Sequence, residues 1–166
     1  MTPARFVSTV CGTGLLRPAP GTWGSLVAIP PAWLLHWLGG FPLLFVATLG
    51  ALVAGWWATR IQVVVLDDPD PSEIVIDELV GMWIALWPLS AGLWFAGVAP
   101  HVFPYPGWIG GFLMFRLFDI WKPGPVGWAD RRPAPTGVML DDVIAGMMAA
   151  AVVSIAAFVS HTWLMG

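Results

Sequence analysis

The chain has 166 residues, 58% of them hydrophobic and only 10% charged, with 12 Trp and 9 Phe and a mean hydropathy of +0.79. Soluble domains carry roughly 25% charged residues, so this composition excludes an ordinary water-soluble globule and predicts one membrane domain over residues 1–166. The net charge of −3 gives no electrostatic basis for binding nucleic acid, and a single cysteine excludes an internal disulfide framework or a multi-cysteine metal site.

The first ten residues hold one Arg and no long apolar core, so no cleaved leader is expected. Residues 1–24 are rich in Gly, Pro and Thr and read as a turn-rich connector. A short apolar run from Leu26 to Leu38 is interrupted early by Pro30-Pro31, and Gly39-Gly40-Phe41-Pro42 predicts a tight turn. A second run, Leu43 to Thr59, ends at Arg60. Residues 60–77 then read as a polar, acidic loop containing Asp67, Asp68, Asp70 and Glu73. The third run, Leu79 to Val98, follows Asp77-Glu78 directly. After a loop from Pro100 to Gly107, a fourth run covers Trp108 to Trp121. Residues 122–137 are Pro/Gly-rich and basic, and a fifth run, Val143 to Leu164, begins right after Asp141-Asp142. Only the third and fifth runs approach the roughly 20 residues of a spanning helix; the shorter first and fourth read as half-buried or re-entrant. The expected fold is all-α, a compact multi-helix integral membrane bundle of about five apolar helices.

Charge placement adds an orientation. With five crossings and the N-terminus inside, Arg5, Arg17, Arg60, Lys122, Arg131 and Arg132 fall in inside segments, and Arg116 lies one turn away. The opposite loops, 39–42 and 99–107, contain no Lys or Arg. This is the positive-inside pattern, so the charged face is expected to be cytoplasmic. All ten Asp and Glu fall on that same side, a concentration that a passive anchor does not need.

Around Phe115-Arg116-Leu117-Phe118-Asp119-Ile120-Trp121-Lys122-Pro123, two cations and a carboxylate recur three residues apart at the end of an apolar segment. Residues at i and i+3 share nearly one helix face, and ionisable groups in a membrane segment mark a functional site. The plainer alternative is a helix-end anchor with Arg116 and Lys122 snorkelling to the interface. Asp77-Glu78 and Asp141-Asp142 add doubled carboxylates at predicted helix starts. N-capping and dipole complementation account for one carboxylate per helix but not for adjacent like charges, which repel unless a cation neutralises them. Five carboxylates at one face suit Mg²⁺, which binds through a few carboxylates and keeps waters or phosphate oxygens; Arg116 and Lys122 beside them suit a phosphate. Thr22 and Ser25 offer hydroxyls to the same site.

One rival pattern is present. Cys11-Gly12-Thr13-Gly14-Leu15-Leu16-Arg17 matches C-x-x-G-x-x-R, a loop in which a thiolate and an arginine cradle phosphate, with Asp130 as a candidate acid. Val10 and Pro18 stand where that class usually has His and Ser or Thr, and a buried, inert Cys is the commoner case.

Four blocks in order, Pro20-Gly21-Thr22-Trp23-Gly24-Ser25, Ile76-Asp77-Glu78-Leu79-Val80-Gly81-Met82-Trp83, Phe115 to Pro123, and Asp130-Arg131 followed by Gly137 to Gly146, resemble the phosphatidylglycerophosphatase A family of bacterial membrane lipid phosphatases. The resemblance implies an all-helical, multi-pass protein of the inner membrane that uses Mg²⁺ to remove the terminal phosphate of phosphatidylglycerophosphate. It implies metal-holding and catalytic roles for Asp77, Glu78, Asp119, Asp141 and Asp142, and substrate-phosphate binding by Arg116 and Lys122, with Thr22, Ser25 and Arg131 beside them. Cys11 lies outside the family pattern. A metal-activated water is the expected nucleophile. Glu73 joins the site if its segment is helical. A cation transporter using the acidic cluster is the alternative from another class, but transporters place ionisable groups near the bilayer midplane, whereas these lie at one edge. No residue pattern speaks to oligomeric state.

Overall fold

The computed structural model describes residues 1–164, which hold helices and no strand. In order these are α1 (Pro3–Ser8), a 3-10 turn (Thr13–Leu15), α2 (Pro20–Val27), α3 (Ile29–Leu66), α4 (Ile76–Phe95), α5 (Tyr105–Trp121), α6 (Pro125–Asp130) and α7 (Thr136–Leu164). The N-terminal segment is therefore more helical than its Gly/Pro content suggests. Thr2 Oγ1 caps α1 by accepting from Arg5 N, and Pro20 opens α2, where its missing N–H costs nothing.

Helix α3 contains a reversal. Gly39 and Gly40 leave helical geometry, Gly40 at φ 62 and ψ −158. Contacts with α4 run in opposite directions on either side. Trp83 Nε1 donates to Ala28 O at 2.8 Å, His36 Nδ1 lies 2.8 Å from Ser90 Oγ, and the Trp94 ring sits against Gly40. Beyond the glycines, Trp87 Nε1 donates to Thr48 Oγ1 at 3.2 Å and Gly55 faces Ile76. The predicted turn is thus a chain reversal, and α3 is two limbs of a hairpin clasping α4. Only glycine reaches this backbone conformation cheaply, and a Cβ on Gly40 would meet the Trp94 ring.

Three boundaries depart from expectation. The returning limb runs through Arg60 to Leu66 before Asp67, in a left-handed conformation, ends it, so the acidic loop is shorter than residues 60–77. Three stretches are long and apolar enough to cross a membrane, Pro20–Leu66, Ile76–Phe95 and Thr136–Trp163; the first holds both limbs of the hairpin. Helix α7 begins at Thr136 rather than at residue 143, because Pro133 and Pro135 place the break earlier. Asp141 and Asp142 consequently lie well inside a helix, not at its cap.

The core forms around α4, which is buried on nearly every face from Ile76 to Leu86. Leu44, Phe115 and Met139 close on it from α3, α5 and α7. The outward faces carry Val46, Val53, Val64, Ile155, Phe158 and Trp163, all exposed, an apolar surface far larger than water-soluble monomers tolerate. Helices α4 and α7 meet backbone to backbone, since a Cβ on Gly146 would collide with Gly81 O and one on Gly81 with Asp142 O, the close approach that small residues permit between membrane helices. Gly146→Val should therefore lower the thermal midpoint in detergent by roughly 5 °C or more, from overpacking of about 1–3 kcal/mol. Gly50→Ala, where a Cβ meets nothing within 4 Å in a helix, should leave the midpoint unchanged or raise it slightly; equal losses for both would disprove the contact's importance.

Candidate active site

Four elements converge on a polar cavity of about 410 Å³. The first turn of α4 brings Asp77 and Glu78, where acidic residues complement the helix dipole. The last turns of α5 bring Arg116 and Asp119, and Lys122 caps that helix in a left-handed conformation. Helix α7 brings Asp141 and Asp142, one helical turn from the Gly81–Gly146 contact. Pro20 and Gly21 at the start of α2 close a fourth side; a side chain at Gly21 would strike Glu78 and crowd Arg116, so glycine here lets α2 approach the acids.

The carboxylates form two overlapping groups. One oxygen each from Asp77, Glu78 and Asp142 lie within 4.8 Å of one another, and so do oxygens from Asp119, Asp141 and Asp142. Asp142 belongs to both. The cations are held against them: Arg116 Nη1 donates to Asp119 Oδ2, and Lys122 Nζ bonds Asp130 and, at 3.0 Å, Asp141 Oδ2. Partial burial by itself lowers the Lys122 pKa, but the bonds to Asp130 and Asp141 outweigh it and raise the ammonium above its ordinary value, so Lys122 stays charged.

Some atoms lack partners. Glu78 Oε2 and Arg116 Nε are buried with no hydrogen-bond partner. Asp142 is 3% exposed and lines the cavity with Asp119, Asp141 and Glu78 around it. Buried polar atoms are normally paired, and clustered carboxylates repel without a counter-charge. An all-oxygen donor set of this kind fits a hard divalent cation.

Of the ten residues expected at the site, Asp77, Glu78, Asp119, Asp141, Asp142, Arg116 and Lys122 line this cavity. Three do not. Ser25 is fully buried with Oγ donating to Gly21 O at 2.8 Å. Thr22 lies off the lining, and so does Arg131, which is exposed. Glu73, in a non-helical segment, pairs with Arg5 at 3.0 Å. Cys11 is exposed and outside the cavity, and Arg17 donates to Ser72 Oγ rather than toward Cys11. Asp70, Ser72, Asp130 and Arg132 complete the polar lining. Asp130 and Arg132 sit in a segment whose basic, Pro-rich character was legible; Asp70 and Ser72 were concealed by their resemblance to a solvated loop, although the flanking Pro69 and Pro71 mark it as rigid.

Comparison with known proteins supplies the family. The model for phosphatidylglycerophosphatase A matches residues 6–157. The chain belongs to that family. Similar proteins include the phosphatidylglycerophosphatase A of Escherichia coli K12, 33% identical over 99% of this chain and 87% of that protein. That of Haemophilus influenzae Rd is 30% identical over 99% of this chain and 93% of its own length. A Bacteroides thetaiotaomicron protein named "Putative phosphatidylinositol-3-phosphatase" is 34% identical over 93% of both chains. No solved structure matches the chain.

Proposed function

We propose that this protein is a Mg²⁺-dependent phosphatase that removes the terminal phosphate of phosphatidylglycerophosphate and leaves phosphatidylglycerol. The observation that carries this reading is the pair of carboxylate groups sharing Asp142, with Arg116 and Lys122 on the same cavity wall. Asp77, Glu78, Asp119, Asp141 and Asp142 are the residues that would hold the ion, and the orphaned Glu78 oxygen supports the fit. A divalent ion bound there supplies Lewis acidity toward a phosphoryl group. Arg116 and Lys122 orient the phosphate and neutralise charge on its oxygens; release of Arg116 from Asp119 frees a planar donor fork for bidentate contact. Water attacks phosphorus, the ester P–O bond breaks, and the glycerol oxygen leaves with a proton.

The family and the apolar helices support a multi-pass protein of the bacterial inner membrane. Residues 1–166 act as one domain, with five crossings when the α3 hairpin counts as two and the cavity faces the cytoplasm. A substrate with its acyl chains in the inner leaflet then presents its headgroup phosphate at the level of these helix ends.

The test is phosphate release from phosphatidylglycerophosphate by detergent-purified protein. The wild type and Cys11→Ser should be equally active, and Asp119→Asn should lose the activity. Loss of activity in Cys11→Ser would mean a thiolate enzyme. No release, together with cation flux in proteoliposomes, would make the acidic cluster an ion pathway.

A further inference from the structure

A second cavity opens on the outer side of the bundle. It is a groove of about 570 Å³ between the returning limb of α3, which supplies Leu52, Val53, Trp56 and Trp57, and α7, which supplies Leu140 and Val143. Val53, Trp56 and Trp57 are exposed. Met139 also lines the groove and joins its two walls: its Cε lies against Gly55, and Thr59 Oγ1 donates to its Sδ at 3.7 Å. No residue is common to this lining and that of the carboxylate cavity. Every lining side chain is hydrophobic except that of Arg60. Arg60 is exposed and has no carboxylate within ion-pair distance among the described residues. From Leu52 to Arg60 the limb advances about 12 Å. It then runs on to Leu66 and into the loop whose Asp70 and Ser72 line the carboxylate cavity. Arg60 therefore stands at the end of the groove nearer the charged face, and the apolar walls extend from it toward the bilayer interior.

One unpaired cation at the charged end of a hydrocarbon-lined slot matches an amphiphile with one negative charge above an apolar tail. An apolar helix laid in the groove would leave Arg60 without a counter-charge in a membrane setting, which is costly. Phosphatidylethanolamine brings its phosphate together with an ammonium that Arg60 repels. Phosphatidylglycerol carries a single negative charge on its phosphodiester and no cation in its headgroup, and basic pockets between membrane helices on the cytoplasmic side are where anionic headgroups bind. We propose that the groove is a binding site for one phosphatidylglycerol molecule of the bilayer, its phosphodiester on Arg60 and an acyl chain along Leu52, Val53 and Val143. Trp56 and Trp57, beside Arg60 on the same limb, flank the lipid at the interfacial level that aromatic residues favour. The lipid takes no part in the phosphate chemistry, so the site is independent of the phosphatase reading. It bridges α3 and α7, and because it binds only the folded bundle it stabilises that bundle.

Thermal midpoints of the detergent-purified protein in EDTA, titrated with phosphatidylglycerol or with phosphatidylethanolamine of the same acyl chains, test the site. Phosphatidylglycerol at about 100 times its Kd should raise the wild-type midpoint by roughly 5 °C or more, and phosphatidylethanolamine should raise it far less. Arg60→Gln removes one charge-assisted contact and should weaken the apparent phosphatidylglycerol affinity about tenfold; Arg60→Lys should recover part of it. Val53→Trp, at an exposed position on the groove wall, should abolish the shift by filling the slot. Without lipid, these variants should melt within about 2 °C of the wild type, as surface substitutions do. Lys122→Gln, inside the carboxylate cavity, should keep the full lipid response. Equal stabilisation by the two lipids, or an Arg60→Gln response like that of the wild type, would overturn the assignment. A response lost in Lys122→Gln but kept in Arg60→Gln would place the lipid in the carboxylate cavity instead. No lipid response, together with a change of oligomeric state in Val53→Trp, would make the groove an interface between copies of the chain and end the proposal.

Discussion

Asp142→Asn is expected to reduce phosphate release by more than about 100-fold, because Asp142 is the carboxylate common to both oxygen clusters. Replacing groups that merely support a metal's ligands typically costs 10–100-fold; a shared ligand should cost more. The substitution nearly preserves shape and leaves the Asp142 backbone N–H free to donate to Asp141 Oδ1 as before, so the fold should survive. It also removes one of several mutually repelling buried charges, so without divalent metal the variant's thermal midpoint should equal or exceed that of the wild type. Adding Mg²⁺ should then stabilise the wild type and not the variant. A variant that retains Mg²⁺-induced stabilisation and most of its activity would show that Asp142 is not a ligand.

Chelation is the second large effect. EDTA should reduce phosphate release to below about 1% of its starting rate, with recovery on adding Mg²⁺ in excess. The same treatment should lower the thermal midpoint, since an ion that binds only the folded state at about 100 times its Kd contributes about 2.7 kcal/mol. That loss is aggravated here because Asp77, Asp141 and Asp142 are buried and close together. Unchanged activity and unchanged midpoint in EDTA would remove the metal from the mechanism altogether.

Much of this was legible in the chain because membrane composition and charge placement are global signals. Asp77-Glu78 and Asp141-Asp142 stood out because doubled acids flank apolar runs, and Arg116, Asp119 and Lys122 because their spacing shares one helix face. Register at helix ends was less legible. The Pro-rich lead-in masks the first turns of α7, so the sequence predicts Asp141 and Asp142 at a helix start, whereas they lie inside the helix. Ser25 looked like a ligand because a hydroxyl near glycines is ambiguous in sequence; in three dimensions it satisfies Gly21 O four residues back, a local bond that competes with any ligand. Asp70 and Arg132 join the cavity lining through tertiary folding of two loops far apart in the chain, and no local periodicity encodes such a meeting.

The contact between Gly81 and Gly146 reaches further than stability. Peptide touches peptide there, so no rotamer is available to widen or narrow the gap, and Glu78 and Asp142 stand only one turn away on either shore. Changes in bilayer thickness are absorbed by helix tilt, and a pair of helices held backbone to backbone has no side chain at the seam whose repacking could alter the spacing. The gauge of the bore between their carboxylates is thus written into the backbone itself.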